Sequence, residues 1–197
     1  INYSYDNRYL AEVSARVDGT QMLPGNNRWG VFPGVSVGWR ITEEDFIREN
    51  PDLHFLNNLK LRLSFGRLGS QNGLGYGLSY LSMASLSQSP IVAIGSETRR
   101  YLNIGSIPNG NLKWQYTDTY NIGLDASLWN GLLGMEADLF YSRTRRKIEA
   151  QAGSFPPSLG GYFSPLVNSG EHDNRGFELL LTHMNRIGNV NYSVRGN

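Results

Sequence analysis

The feature that most limits the fold of this chain is an alternation of apolar and polar residues that recurs along its length. In residues 9–19, tyrosine, alanine and valine occupy odd positions, whereas Glu12, Ser14, Arg16 and Asp18 occupy even positions. Successive side chains of a β-strand point to opposite faces, so this period of two predicts strands with one apolar and one polar face. The same pattern recurs in residues 28–41, 59–66, 120–129, 133–142, 176–183 and 190–195. The chain is therefore predicted to be all-β, with about seven strands and no long helix.

The connections between these strands alternate between short and long. The Asn130-Gly131 pair is a hairpin signal, and residues 185–189 predict a second tight turn. In residues 42–58, Thr42 is predicted to cap a short helical turn. Long loops are predicted at the other end of the strands, in residues 19–27, 69–115 and 145–173. Short turns at one end and long loops at the other are typical of an antiparallel, up-and-down transmembrane β-barrel, although a soluble two-layer sandwich also alternates.

Large aromatic residues stand at the ends of the predicted strands. Trp29 and Trp39 are ten residues apart, which is about 33 Å in an extended strand and about 25 Å after a tilt of about 40°. That projection matches the apolar band of a membrane barrel, and aromatic rings favour the two membrane interfaces. We therefore predict a membrane-interface girdle with Trp29, Tyr116 and Tyr120 at the long-loop level. Trp39 and Trp129 are predicted to form its short-turn level.

Pro33 does not fit a regular strand. It lies in the middle of residues 28–41 and cannot donate a hydrogen bond to a neighbouring strand. We therefore predict a β-bulge or a broken ladder bond at Pro33, and Gly34 beside it makes a bulge plausible.

The composition excludes several classes of function. A formal net charge of +1 excludes a strongly basic surface for nucleic acid. The absence of cysteine excludes disulfides, thiolate metal sites and cysteine nucleophiles. No serine has a histidine and a carboxylate in a recognisable catalytic setting, so we expect no enzyme activity and no cofactor. Residues 171–173 offer three metal-capable groups, but adjacent strand residues point to opposite faces, so we expect no metal site, with calcium in the loop as the alternative.

Three motifs make the pattern more specific. They are RVDGT in residues 16–20, FPGVSVGWR in residues 32–40 and EEDF in residues 43–46. In this order they resemble the barrel of the SusC/RagA family of TonB-dependent outer-membrane transporters. The likeness continues through LKLRLSFGRLGSQ, NGNLKWQYTDTYNIGLD, ADLFYSRTRRKI and NSGEHDNRGFELLL and covers nearly the whole chain. The departures are Gly34 and Val37 at variable positions, and RLGSQN where a TGN-like turn is common.

The resemblance implies a 22-stranded barrel filled by an N-terminal plug in the outer membrane of a Gram-negative bacterium. It also implies a SusD-like surface lipoprotein as a lid, energy from the TonB complex, and import of large nutrients such as oligosaccharides or peptides. We expect residues 1–197 to be part of that barrel domain, with the plug, the TonB-contacting segment and most strands outside this chain. Gly30, Gly34 and Gly38 share the polar face, where small residues either let the plug approach the wall or relieve crowding in a curved strand.

The long loops carry the candidate contact residues. Aromatic side chains there are expected to contact a ligand or the lid, although packing on one another is the alternative; they are Tyr76, Tyr80, Tyr101, Trp114, Phe155, Tyr162 and Phe163. The cations of residues 143–147 are expected near the outer rim, where they either pair with lipopolysaccharide phosphates in the outer-membrane lipid or form a solvated loop. Two other functions stay open at this point: a passive outer-membrane porin and a soluble carbohydrate-binding sandwich.

Overall fold

The computed structural model describes residues 1–74, 84–104, 108–151 and 165–197, with the backbone alone for 84–94 and 97–104. Ten strands account for most of these residues. Their bounds are β1 Asn2–Tyr5, β2 Tyr9–Gly19, β3 Trp29–Arg40, β4 Leu56–Ser70, β5 Ala84–Ile94, β6 Glu97–Ile104, β7 Gln115–Leu128, β8 Leu133–Ala150, β9 Leu166–Ile187 and β10 Val190–Gly196. The helical pieces are short: α1 at Asp45–Arg48 and three 3₁₀ turns at Gly25–Asn27, Ile41–Glu43 and Pro51–Leu53.

Eight of the strands form one antiparallel sheet in the order β1-β2-β3-β4-β7-β8-β9-β10. Each strand pairs with its neighbour along the chain, except that β4 pairs with β7 across the separate β5–β6 hairpin. Within these residues the sheet is open, with β1 and β10 at its edges. The all-β, up-and-down wall predicted from the sequence is confirmed. None of the described helices is long and apolar enough to cross a bilayer.

The strand count needs a correction. All seven predicted strands are present, but β1 and the β5–β6 hairpin were not predicted. β1 has four residues, too few for an alternation to be recognised. The hairpin occupies part of the loop predicted at 69–115, where Pro90 interrupts any strand pattern.

The strands β8 and β9 are also longer than the sequence predicts. They contain 18 and 22 residues, so the loop predicted for residues 145–173 is confined between Ala150 and Leu166. Charged residues end the apolar alternation there, yet the backbone pairing with β9 continues, and one of the charges has a partner on the neighbouring strand. Arg143 on β8 donates to Glu171 on β9 at 2.5 Å.

The short connections are as predicted, with one difference. Asn130 and Gly131 have φ values of 55° and 84°, and Leu132 N–H donates to the Trp129 carbonyl at 3.1 Å. Positive φ at both residues is what an Asn-Gly pair favours in a tight turn. Trp129 also has a positive φ of 51°, and the ladder ends at the Leu128–Leu133 pair, so the connection has four residues. Thr42, however, does not cap the helix. It lies in a 3₁₀ turn before α1, and its hydroxyl accepts the N–H of Leu59 at 3.3 Å.

Pro33 marks the point where β3 separates from β4. Pairing with β2 is continuous from Trp29 to Trp39, whereas pairing with β4 begins only at Gly34. The ladder is therefore interrupted on the β4 side, and the alternative of a bulge is not observed in these two registers. Beyond this point the ring of Phe32 lies against Gly69 of β4.

A small hydrophobic cluster fills the gap that this separation creates. Its buried members are Leu23, Phe32, Leu112, Trp114 and Ile148. The rings of Phe32 and Trp114 meet edge to face with centroids 5.3 Å apart. The cluster joins the loop before β3, the segment before β7 and the end of β8, so it forms the base of the long-loop end.

Candidate functional site

One face of the sheet carries apolar side chains in rows that cross the strands. A representative row, read from the pairing registers, is Ala11, Val37, Leu63, Ile122, Leu139 and Phe177 on β2, β3, β4, β7, β8 and β9. All of its members except the half-buried Ala11 are exposed: Leu139 retains 60% and Phe177 77% of its surface. A second layer of protein would bury such a row, and the described part of the chain provides none. The sandwich alternative therefore has no support in these residues.

The opposite face carries charged and small residues. Arg62 on β4 donates two hydrogen bonds to Asp125, at 2.7 and 2.8 Å, and a third to Asp138 at 3.1 Å. Gly123 lies between these strands, where a Cβ would be 2.7 Å from the Arg62 guanidinium. A Cβ at this position would make the Arg62 and Asp138 side chains shift, so glycine favours this arrangement of the network. Such a face suits a hydrated lumen or a polar surface packed inside a barrel.

The apolar face has a sharp boundary toward the long loops. Three rings on β4, β7 and β8 form a row: Phe65 and Tyr120 have centroids 5.0 Å apart, and Tyr120 and Tyr141 6.4 Å apart. The next row on the same face is charged and consists of Arg67, Asp118, Arg143 and Asp173. On β7 the apolar residues thus run from Tyr120 to Leu128, about 20 Å when tilted by about 40°.

The girdle residues predicted at the long-loop level occupy different surroundings. Tyr120 belongs to the ring row at the boundary. Trp29 is 72% exposed at the end of β3. Tyr116 lies beyond the charged row, and the guanidinium carbons of Arg67 and Arg146 lie 4.3 and 5.4 Å from its ring centroid.

At the short-turn level Glu44 holds two aromatic residues together. Its carboxylate accepts from the Tyr9 hydroxyl at 2.6 Å and from the Trp39 indole N–H at 2.9 Å. Arg8 donates to the same group at 3.4 Å. The hydrogen bond from Tyr9, followed by that from Trp39, lowers the pKa of Glu44 below its usual value. The acidic motif after β3 therefore anchors the Tyr9 and Trp39 rings to the turn.

Trp129, the other residue predicted at this level, is 52% exposed in the β7–β8 turn. It stacks on Phe55, with ring centroids 6.0 Å apart. Trp39 and Trp129 thus lie at the same end of the sheet as two further rings that the sequence prediction missed, Tyr9 and Phe55. Tyr9 has the parity of the apolar face on its strand, which is the signal that identifies it.

Trp114 is the one predicted loop contact whose side chain the structure describes. It is 8% exposed inside the hydrophobic cluster, and its indole N–H donates to the Arg28 carbonyl at 3.0 Å. This placement favours the packing alternative for Trp114. The other six residues lie outside the described side chains: Tyr76, Tyr80, Tyr101, Phe155, Tyr162 and Phe163.

The cations of residues 143–147 lie in β8 and not in a loop. Arg143 pairs with Glu171 and lies 3.5 Å from Asp173, and Lys147 pairs with Glu149 at 2.7 Å. These carboxylates are engaged by their own chain, and the described residues contain no group of three or more acidic or histidine side chains arranged for a metal. Arg145 and Arg146 have no ion pair within the described ranges.

The comparisons with known proteins agree with this geometry. The whole chain, residues 1–197, matches the family described as TonB dependent receptor-like, beta-barrel. The chain belongs to the β-barrel family of TonB-dependent receptors. Its relatives include TonB-dependent receptor SusC of Bacteroides thetaiotaomicron, 34% identical over 92% of this chain and 17% of that protein. TonB-dependent receptor P26 of Formosa agariphila is 30% identical over 98% of this chain and 18% of that protein.

Solved structures place this receptor segment in the same fold. The structure of the RagAB peptide transporter superposes with a TM-score of 0.77 at 25% identity, covering 94% of this chain and 19% of that one. The RagAB peptide importer in its closed-closed state gives a TM-score of 0.78 at 24% identity, over 98% of this chain and 21% of that one. The segment thus spans about a fifth of the length of the proteins it matches. TonB-dependent receptors are outer-membrane β-barrel proteins of Gram-negative bacteria and form a family of receptors and transporters.

Proposed function

We propose that this segment forms part of the wall of an outer-membrane importer that takes up oligosaccharides or peptides with energy from TonB. The observation that carries the proposal is the exposed apolar face, which is bounded by aromatic rings and then by charge. Membership of the receptor family and the likeness to SusC and to the RagAB peptide importer support it. A passive porin, the remaining alternative, would share the apolar face but would have no need of TonB.

The partners belong to the same proposal. A SusD-like surface lipoprotein acts as the lid, and the TonB complex contacts segments outside residues 1–197. The six aromatic residues outside the described side chains contact the cargo or the lid. Lipid and lipopolysaccharide of the outer membrane surround the apolar face and its charged rim. The polar face lines the lumen, where Gly34 and Gly38 let a plug approach the wall closely. At Gly30 the neighbouring rings of Phe32 and Trp114 favour the other alternative, relief of crowding.

Uptake measurements test the proposal in the living cell. A strain that lacks the full-length gene is grown on defined peptides and on defined oligosaccharides, and is complemented by the gene in cells with and without TonB. Complementation that requires TonB on one class of nutrient is the expected result, and that class identifies the cargo. Equal uptake without TonB would indicate a porin.

Substitutions at two neighbouring leucines test which face of the sheet contacts lipid. Leu179 lies on the apolar face and is 44% exposed, whereas Leu180 has the opposite parity and pairs with Glu136. In the full-length protein, Leu179→Arg is expected to lower the free energy of unfolding by about 2–4 kcal/mol, because arginine meets hydrocarbon near the bilayer midplane. Leu180→Arg is the matched control and is expected to cost less than about 1 kcal/mol, because it enters a polar lumen. Equal costs in lipid vesicles would contradict the assignment of the faces.

A further inference from the structure

A cationic cavity lies where β3 separates from β4. Its volume is about 200 Å³. The lining includes four aromatic residues and three cations, namely Trp29, Phe32, Trp114, Tyr116, Arg67, Lys113 and Arg146, together with Val31. None of the lining residues is acidic. The sequence prediction placed cations at the outer rim but did not bring Arg67 or Lys113 into one site with Arg146.

The backbone at two of these cations is held by one side chain. The Asn168 amide nitrogen donates to the carbonyl of Lys113 at 2.9 Å and to that of Arg146 at 2.8 Å. Its oxygen accepts the Lys113 N–H at 2.8 Å. Arg146 has a φ of 55° at an irregularity in the β8–β9 register. Asn168 on β9 therefore fixes Lys113 and Arg146 beside each other.

The third cation is oriented by an ion pair. Arg67 donates through Nε and Nη2 to the Asp118 carboxylate, at 2.6 and 3.0 Å. Asp118 is 4% exposed, so this pair is held in place. Within the described residues Nη1 of Arg67 has no hydrogen bond, and it stays available to a further acceptor. Arg67 and Arg146 both lie against the Tyr116 ring.

Two of the three positive charges at this cavity have no ion-pair partner among the described residues, whereas Arg67 is paired with Asp118. Lys113 and Arg146 have no ion pair in the ranges that the structure describes. The segments whose side chains are not described contain one acid, Glu97, and two arginines, Arg99 and Arg100. Gathering like charges without a counter-ion is unfavourable, whereas several arginine and lysine donors converging on one small space suit a multidentate anion such as phosphate.

The position of the cavity indicates where the anion comes from. Trp29, Arg67 and Tyr116 have the parity of the apolar face, and Trp29 is 72% exposed beside the cavity. The site thus borders the apolar face just beyond the ring row of Phe65 and Tyr120. We propose that this cavity binds a phosphate group of a lipid in the outer leaflet, the leaflet that carries lipopolysaccharide. The inference rests on the proposed function to the extent that the segment lies in the outer membrane.

Binding of lipid A to the purified full-length protein tests the inference. Delipidated protein in detergent is mixed with lipid A that carries its phosphates or with the dephosphorylated lipid, and the adducts are quantified by native mass spectrometry. Arg146→Gln and Lys113→Gln are each expected to weaken binding of the phosphorylated lipid by about tenfold, since each removes a charged donor. Lys113→Arg keeps the charge and is expected to keep the binding.

Arg175→Gln is the matched control. Arg175 is exposed on β9, has the parity of the apolar face and lies outside the cavity, so its loss is expected to change binding by less than about twofold. A weakening equal to that of Arg146→Gln would indicate diffuse attraction and overturn the site. Equal binding of the dephosphorylated lipid would overturn phosphate recognition, and displacement by millimolar inorganic phosphate would overturn the lipid as its source.

Uptake by the same variants separates this inference from the proposed function. If Arg146→Gln and Lys113→Gln bind lipid A as tightly as the wild type and show normal TonB-dependent uptake, the phosphate site alone is overturned. Lipid A binding that follows the expected pattern, in a protein that imports nothing in a TonB-dependent manner, overturns the transport proposal alone.

Discussion

The two ends of this sheet are built from different kinds of contact. At the short-turn end, each turn is itself closed by residues near in sequence, and the distant contacts there, such as Tyr9 with Glu44 and Phe55 with Trp129, join one turn to another. The Asn130-Gly131 turn needs one hydrogen bond between Trp129 and Leu132, and Trp39 reaches Glu44 five positions away. At the long-loop end the contacts are distant: the Asn27 side chain donates to the carbonyl of Leu112, 85 positions away, and Trp114 to that of Arg28, 86 positions away.

This difference shows where the segment can vary without losing its pairing. The registers of β7–β8 and β9–β10 are set locally by their turns. The base of the long loops depends instead on rings and amides that several segments contribute. Loops placed on such a base can change in sequence while the strands below keep their register. Three substitutions measure how strongly each end depends on its own kind of contact.

The largest effect is expected at the long-loop end, from Gly69→Ala. A Cβ at this position would overlap the ring of Phe32, and that ring is held against Trp114. Overpacking of this kind costs about 1–3 kcal/mol. The free energy of unfolding of the full-length protein in detergent, followed by urea titration, measures it.

Gly66 on the same strand provides the control for this effect. A Cβ there meets no atom within 4 Å, so Gly66→Ala is expected to leave stability unchanged or slightly raised. Phe32→Leu combined with Gly69→Ala should recover part of the loss, because the smaller side chain makes room. If Gly66→Ala lowers the free energy of unfolding as much as Gly69→Ala does, the loss does not come from overpacking of the hydrophobic cluster.

The next effect is expected at the short-turn end, from Gly131→Ala. Gly131 has a φ of 84° and open space around it, so the cost comes from the backbone and not from packing. A residue with a Cβ pays about 1–2 kcal/mol for a left-handed conformation. Gly131→Asn is the matched control, since asparagine tolerates positive φ, and should cost less. Equal urea midpoints for the two variants would contradict this account of the turn.

Much of the sheet could be predicted from the sequence because the patterns that determine its faces and turns involve residues near one another along the chain. The parity of an apolar residue such as Leu139 fixes the face it occupies, and the Asn130-Gly131 pair fixes a turn. The extension of β8 beyond Ser142 could not be predicted in this way. There the charged residues of β8 have partners such as Glu171 on β9. An alternation of apolar and polar residues does not indicate which charged residues form pairs across two strands.

The candidate sites at the long-loop end were harder to predict for the same reason. Phe32 is an aromatic residue on the polar parity of β3, beside Pro33, and that exception was the available signal for the hydrophobic cluster. The partners of Phe32 at Gly69 and Trp114 follow only from the separation of β3 and β4 in space. Asn168 gave no signal at all, since its role is to bond the backbone of two distant residues.

The smallest effect is expected from Glu44 at the short-turn end, and it depends on pH. Because hydrogen bonds from Tyr9 and Trp39 lower its folded-state pKa, the charged carboxylate stabilises the protein above the unfolded pKa, near 4.5. That contribution is lost as the pH falls through the lower folded-state pKa. Glu44→Gln should therefore lower the urea midpoint at pH 7, by less than Gly131→Ala does, and its midpoint should approach that of the wild type in acid. Glu43→Gln is the control, because the Glu43 carboxylate has no hydrogen bond to the described residues. If the urea midpoint of Glu44→Gln changes with pH in parallel with that of the wild type, the hydrogen bonds from Tyr9 and Trp39 do not require a charged acceptor.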